Sequence, residues 1–338
     1  MPPHPKPRLD YSYDVEAERA ELRAWARLRE IPRRRRDRLL VATWNIANFG
    51  LQERRQPDHQ LLAEVCSWFD IVAIQEVNDN LAGLRGLREC LGQGYEVLFS
   101  DASGNMERQA FVWDARRVRL LGKVGRLAIP PSQLDQIRLP GFDVSFRGFD
   151  RGPYMAAFET VAAPRRLRCL LINVHLYFGS NALAHVTRRA QETFAVAWWA
   201  ARRQRSDHAF TKNIIPLGDF NLPSPTPGDR IYEALTARGL QLAKANRALR
   251  HRGLELPRRR AERLSKVGGT SLDGLKHYDQ IAFFPEQTLQ PSQVEVFDFD
   301  NTLFQELWER EADPWPGYRG YLRYYISDHR PLWAEFEL

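Results

Sequence analysis

The 338-residue chain has little cysteine, only three methionines and no long apolar run. Its three cysteines, Cys66, Cys90 and Cys169, are too few for a disulfide framework. With no CxxC pair among them, the usual structural zinc modules are excluded. Cys66 in "LLAEVCSWF" and Cys169 before "LLINV" read as buried thiols. No stretch approaches the roughly 18 apolar residues of a membrane span, so no transmembrane segment is expected. The opening "MPPHPKPRLDYSYDVEAERA" has no apolar core and does not read as a secretory signal. A cytoplasmic location and a monomer are the expectations. No internal repeat recurs at a fixed period.

The composition is that of a globular protein, with 43% hydrophobic and 27% charged residues, and nine tryptophans support a large core. The net charge of +7 is unevenly spread. Residues 1–38 hold eleven Lys/Arg against seven Asp/Glu, and residues 244–266 hold nine against two, so the remainder is net −4. Such basic segments either meet phosphate backbones or form solvated loops.

Residues 14–31 have helical spacing, with Leu22, Trp25 and Leu28 among Glu and Arg, and Pro32 ends the pattern. The first buried-type strand is "LLVATW" at 39–44, so residues 1–38 are expected to be a basic helical extension. Strand-like and helix-like stretches then alternate through the main domain expected at 39–338. Helical patterns at 59–69, 182–204 and 229–238 separate apolar strands, which fits a layered α/β architecture. The basic segment at about 244–268 reads as an insertion.

The strand ends carry the chemistry. In "IIPLGDFNL" an apolar run ends in Gly218, and Asp219 and Asn221 follow two residues apart, on one face if the chain stays extended. Alone, this stretch reads equally well as a turn. Five more strands repeat the arrangement: "LLVATWN" with Asn45, "IVAIQE" with Gln75 and Glu76, "LLINVHL" with Asn173 and His175, "HYDQIAFF" with Asp279, and "ISDHRPLWAEF" with Asp328 and His329. Turns do not account for six such cases. Carboxylates gathered at one edge repel unless protons or a cation sit among them.

The motifs "WNIANFG", "IQEV", "NVHL", "GDFN", "YDQI" and "SDH" resemble, in order and over residues 41–332, those of the endonuclease/exonuclease/phosphatase superfamily, also called DNase I-like. The resemblance makes residues 39–338 a catalytic domain. It implies a four-layer αββα sandwich of two packed mixed β-sheets flanked by helices. It implies Mg²⁺-dependent phosphoester hydrolysis, with Mn²⁺ as a substitute. Glu76, Asn45 and Asp328 match metal-side residues. Asp219 and Asn221 match the pair that orients the attacking water and the phosphate. His175 and His329 match the histidines around the scissile phosphate, and Asp279 matches the carboxylate behind His329. Asn173 is placed on the substrate phosphate.

Two stretches resemble the DNase I-type nuclease branch. "MERQAFVWD" would pair Glu107 with His175, and "FDRGPYMAAF" would bring Arg151 to a backbone phosphate. Thr270 is a further candidate phosphate contact. A nuclease acting on nucleic acid, DNA ahead of RNA, is therefore the leading expectation. A phospholipid or inositol-phosphate phosphodiesterase or phosphatase is the alternative, and a non-catalytic nucleic-acid-binding relative is a third reading.

If residues 244–266 lie along a polyanionic substrate, replacing Arg258, Arg259, Arg260 and Arg263 by Ala weakens nucleic-acid binding at low salt. It also flattens the salt dependence, by about one log unit for each phosphate that the segment no longer neutralises. Titrations across salt concentration read this directly, and an unchanged slope would assign the segment to a solvated loop.

Overall fold

The computed structural model describes residues 3–139, 145–161, 163, 165–242, 268–310 and 314–338. The basic segment at 244–266 lies outside the described residues. Two β-α-β units form the centre. In the first, β1 (Arg38–Phe49) leads through α2 (Gln56–Cys66) to the parallel strand β2 (Ile71–Asn78). In the second, β7 (Arg168–His175) leads through α4 (Leu183–Arg205) to the parallel strand β8 (Ile214–Asp219). A parallel pair needs such a crossover, and the helix covers the sheet face it crosses.

Antiparallel strands complete each sheet. Strands β3 (Tyr95–Phe99), β4 (Glu107–Asp114), β11 (Pro291–Val296) and β12 (Leu332–Glu337) give the order β11-β12-β1-β2-β4-β3. Strands β5 (Val118–Arg126), β6 (Tyr154–Thr160), β9 (Gln241–Leu242) and β10 (Asp279–Phe283) give β5-β6-β7-β8-β10-β9. Both sheets are mixed, and helices cover their outer faces, so the αββα sandwich is the observed fold.

Side-chain alternation divides the core. Leu39 and Val41 of β1 join Ile71, Phe111, Phe158, Leu171, Ile215 and Leu332 between the sheets. Leu40, Ala42 and Trp44 point the other way, toward the helices. Behind the second sheet, Phe194 and Trp198 of α4 pack with Ile172, Val174 and, from α5 (Arg230–Thr236), Leu235. Cys66 and Cys169 are free and buried, and burial pushes both thiols up to about 12.

The N-terminal segment is not a separate extension. Helix α1 (Val15–Leu28) is capped by Asp14, which accepts from the amides of Glu16 and Ala17. Its Leu22 and Trp25 are buried in the same cluster as Trp44 and Trp333. Trp25 Nε1 donates to Asp298 at 3.0 Å. At roughly 1.5–3 kcal/mol for each large apolar side chain buried, the helix is part of the domain core.

Several elements were not expected from the sequence: α3 (Ala82–Leu91), β5, β11, α6 (Gln305–Arg310) and α7 (Pro314–Tyr325). Two glycines interrupt the apolar pattern of α3. In β5, Arg, Lys and Gly dilute the strand signal. None of the described helices is long and apolar enough to cross a membrane.

Glu18 of α1 is largely buried and accepts the Phe304 amide at 3.0 Å. Burial, with repulsion from Glu21 and Glu306, outweighs that hydrogen bond and raises its pKa from 4.5 to about 7. The folded state therefore holds this proton more tightly than the unfolded chain. Its stabilising contribution is complete below pH about 4.5 and is lost as pH rises through about 7. Glu18→Gln, which keeps an acceptor for Phe304, is expected to raise the melting temperature by about 1–3 °C at pH 8. It should change little at pH 5. Thermal melts at both pH values check this, and an equal shift at both would show that ionisation is not the cause.

Candidate active site

Strand direction decides where the polar residues meet. The C-terminal ends of β1, β2, β7 and β8 bring Asn45, Glu76, His175 and Asp219 to one edge of the sandwich. Strand β10 runs antiparallel to β8, so its first residue, Asp279, pairs with Asp219, and His175 pairs with Asp219 on the other side. Strand β12 runs antiparallel to β1, so Asp328 and His329 enter at the same edge.

Local irregularities aim these side chains. Glu76 sits where the β2–β4 register shifts, in left-handed backbone at φ 58°. Bulges of this kind re-aim side chains beside functional sites. Asn48 and Asn221 are left-handed too, at φ 48° and 52°. Gly218 has φ 131°, and a Cβ there would lie 2.2 Å from the Val174 carbonyl oxygen. Glycine thus lets β8 approach β7 and turn Asp219 into the site.

Asn45 is the hub. Its Nδ2 donates at 3.0 Å to Glu76 Oε1 and at 3.0 Å to Asp219 Oδ2, joining one carboxylate from each sheet. Two carboxylate acceptors fix the orientation of this amide. Its Oδ1 is buried and has no hydrogen-bond partner among the described residues. The other Glu76 oxygen accepts the Asn48 amide at 2.9 Å. The other Asp219 oxygen accepts the Asn221 amide at 2.8 Å.

The two histidines are arranged alike. His175 Nδ1 lies 2.9 Å from Glu107 Oε2, and His329 Nδ1 lies 2.8 Å from Asp279 Oδ2. Their Nε2 atoms lie 3.7 and 3.9 Å from the same Asp219 Oδ2. The hydrogen bond to Asp279 fixes the ring and tautomer of His329, and Glu107 sets a negative charge beside His175. Burial opposes charge on His329, but Asp279, Asp219 and Asp328 outweigh it and raise its pKa well above the usual histidine range. Burial likewise opposes charge on Glu107, yet His175 and Arg151 hold its carboxyl at about 2.

The loop carrying Asp328 and His329 is clamped on both sides. Ser327 Oγ donates to the Asn45 carbonyl at 2.6 Å, and Trp44 Nε1 donates to the His329 carbonyl at 2.8 Å. Arg330 is buried and makes a bidentate pair with Asp300, both contacts 2.7 Å. One ligand atom from each of Asp219, Asp279 and His329 lies within 4.8 Å of the others, a buried group that could hold a divalent cation only with His329 neutral and released from Asp279. Asn45 Oδ1 and the Glu76 carboxylate offer hard oxygen donors beside it, which suits Mg²⁺ or Mn²⁺.

The three residues expected to contact phosphate are engaged within the protein, Arg151 and Thr270 directly behind the edge beside Glu107 and Asp279. Asn173 is 0% exposed. Its Nδ2 donates to the carbonyls of Ile74 and Ala110 in the facing sheet, and its Oδ1 accepts Gln75 Nε2 at 2.7 Å. It ties the sheets together. Arg151 is buried, donating to the His175 and Leu176 carbonyls at 2.9 Å each, and so braces the end of β7. Thr270 is buried and its Oγ1 accepts the Asp279 amide at 3.1 Å. In this structure each of the three side chains makes hydrogen bonds with main chain. The motif strings gave no sign of this, because Asn, Arg and Thr serve either purpose.

No protein-family profile matches the chain, and no curated protein sequence matches it. Solved structures do match. An endonuclease/exonuclease/phosphatase from Bacteroides vulgatus is 18% identical with TM-score 0.52, over 89% of this chain and 99% of that one. A humanised D. rerio TDP2 is 16% identical with TM-score 0.52, over 89% and 100%. The human Nocturnin catalytic domain is 16% identical with TM-score 0.51, over 90% and 95%. The chain has the fold of the endonuclease/exonuclease/phosphatase superfamily. The superfamily sandwich thus accounts for the layers and for the shared edge at which the six strand ends meet.

Asn173→Ala would take a donor from the Ile74 and Ala110 carbonyls and one acceptor from Gln75 Nε2, which keeps Thr43 Oγ1. It is expected to destabilise the fold by about 2–4 kcal/mol. Denaturant melts of the variant measure this. A loss below about 0.5 kcal/mol would refute this role in tying the sheets together.

Proposed function

We propose that this chain is a divalent-metal-dependent hydrolase of phosphodiester bonds in nucleic acid, DNA ahead of RNA. The observation that carries the reading is the single edge at which Asn45, Glu76 and Asp219 converge between two carboxylate-backed histidines. Glu76, Asn45 and Asp328 would hold Mg²⁺, with Mn²⁺ as a substitute. The cation would stabilise charge on the phosphate oxygens.

The protein groups do the rest. Asp219 Oδ2 orients a water and accepts its proton as the oxygen attacks phosphorus and the ester P–O bond breaks. His329, kept cationic by Asp279, donates to a non-bridging phosphate oxygen and stabilises the transition state. His175, held by Glu107, presents Nε2 from the opposite side. Asn221, whose Nδ2 donates to the Leu176 carbonyl at 2.8 Å, keeps the Asp219 turn in place.

Aromatic rings at the rim support a nucleic-acid substrate. Tyr278 lies 5.7 Å from His329 at 35°, and Phe178 meets Tyr278 edge-on at 6.3 Å. Both are half-buried, so each leaves a face on which a base can stack. The lipid or inositol-phosphate reading has its own support. An apolar cavity of about 740 Å³ lies between residues 145–148 and the first turns of α4, lined by Phe146, Leu183 and Thr187.

With Mg²⁺, single-stranded and plasmid DNA are expected to be cleaved, and sphingomyelin and inositol phosphates are not. EDTA should abolish cleavage and added Mg²⁺ restore it. His175→Ala and His329→Ala should each lower kcat by about 10²-fold or more with little change in KM. Full activity in EDTA, or near-normal kcat in both variants, would sink the mechanism. Turnover of the lipid alone would move the substrate to the second reading.

A further inference from the structure

The N-terminal residues carry a feature that the proposed mechanism does not use. "PPHPKPRLDY" places prolines at 3, 5 and 7, on either side of His4 and Lys6. Each proline fixes its own φ and pushes the residue before it into extended backbone. Residues 3–13 contain no helix or strand, yet they are held at several points.

The anchors lie at the C-terminal end of this stretch. Tyr11 is buried in the core, edge-on to Phe304 at 5.9 Å and to Tyr321 at 5.5 Å. Its carbonyl accepts from Tyr321 Oη at 3.0 Å and from Arg55 Nη1 at 3.1 Å. Tyr13 Oη donates to Asp58 at 2.7 Å. From Tyr11 an extended chain rising about 3.1 Å per residue spans roughly 20 Å to His4. There His4 Nε2 meets Asp328 Oδ2 at 3.1 Å, with each side chain about a quarter exposed, at 27% and 24%.

We propose that residues 3–13 are a proline-stiffened strap forming one wall of the active site, and that His4 is a positioning residue for Asp328. This inference rests on the metal-dependent reading above. A carboxylate on the open side of a metal site has several rotamers available. A donor on Oδ2 selects one of them and leaves Oδ1 for the cation. Groups that orient a ligand in this way typically change metal affinity by about 10–100-fold when removed. The prolines lower the entropy lost in making the contact, because the strap is extended before His4 docks. Arg54, half-buried nearby, makes no hydrogen bond or ion pair with Asp328 among the described residues. Its guanidinium donates to the carbonyls of Ala47, Tyr325 and Ile326.

The test is Mn²⁺ binding to the full chain, followed by electron paramagnetic resonance of free Mn²⁺ without substrate. His4→Ala should weaken binding about tenfold with an unchanged melting temperature. His4→Gln, whose amide nitrogen reaches the position of Nε2, should restore it to within about threefold. Changing Pro3, Pro5 and Pro7 together to Ala should weaken it by a smaller factor. Glu76→Gln serves as the control that abolishes binding. Unchanged affinity in His4→Ala would overturn the proposal. So would tighter binding, which would make His4 a competitor of the metal. Absence of Mn²⁺ binding by the unaltered protein would overturn the metal reading itself, and this proposal with it.

Discussion

One amide nitrogen, Asn45 Nδ2, sits 3.0 Å from a carboxylate of each sheet, and the site is organised around it. Glu76 and Asp219 are both buried and both need partners. Two buried carboxylates so close would repel, and each would lose the hydration it had in water. The shared donor offsets part of that cost, and the Asn48 and Asn221 amides offset more. What remains is an acidic edge with two histidines facing it. Such an edge is complementary to a cation and a phosphate together, and poorly matched to either a neutral ligand or a lone anion.

Holding that edge in register requires the two sheets not to slide. Apolar packing between them is tight but not directional. Hydrogen bonds across the sandwich add direction. Asn173 reaches from β7 to the Ile74 and Ala110 carbonyls, and Gln75 joins Asn173 to Thr43 at 3.0 Å. These polar pegs lie one step deeper than the polar side chains of the shared edge. Directional bonds of this type favour one register of the sheets over others, although Gln75 Oε1 has no hydrogen-bond partner among the described residues. The polar groups in the motifs therefore divide into a layer at the shared edge and a layer that fixes the sheets.

The sequence made the first layer legible because strand periodicity and strand ends are local. "GDFN", "YDQI" and "NVHL" each announce a polar pair at the end of an apolar run, and their order matches the topology. The second layer was not legible. Whether Asn173 or Arg151 faces a phosphate or a carbonyl depends on which strand lies opposite, and that is a long-range fact. The same limit applied to residues 1–38. The helix was readable from Leu22 and Trp25, but not that its apolar face completes a core built by residues far along the chain, such as Phe299 and Phe304. His4 gave no signal at all, since its partner Asp328 is 324 residues distant.

The site is also where the fold departs from its own preferences. Glu76, Asn48 and Asn221 adopt left-handed backbone, at a cost of about 1–2 kcal/mol each for residues with a Cβ. Asn45 Oδ1 and His175 Nε2 are buried without hydrogen-bond partners among the described residues, each a further cost of about 1–3 kcal/mol. These departures do not spread, because rigid neighbours confine them. Trp44 and Ser327 pin the His329 loop to β1, and the Arg330–Asp300 pair fixes its far side. Both of these atoms face the shared edge. A ligand that supplied a cation to Asn45 and an oxygen to His175 would satisfy both at once, so binding would recover free energy that folding left unrecovered. That is the condition under which a strained, acidic edge can persist in a folded protein.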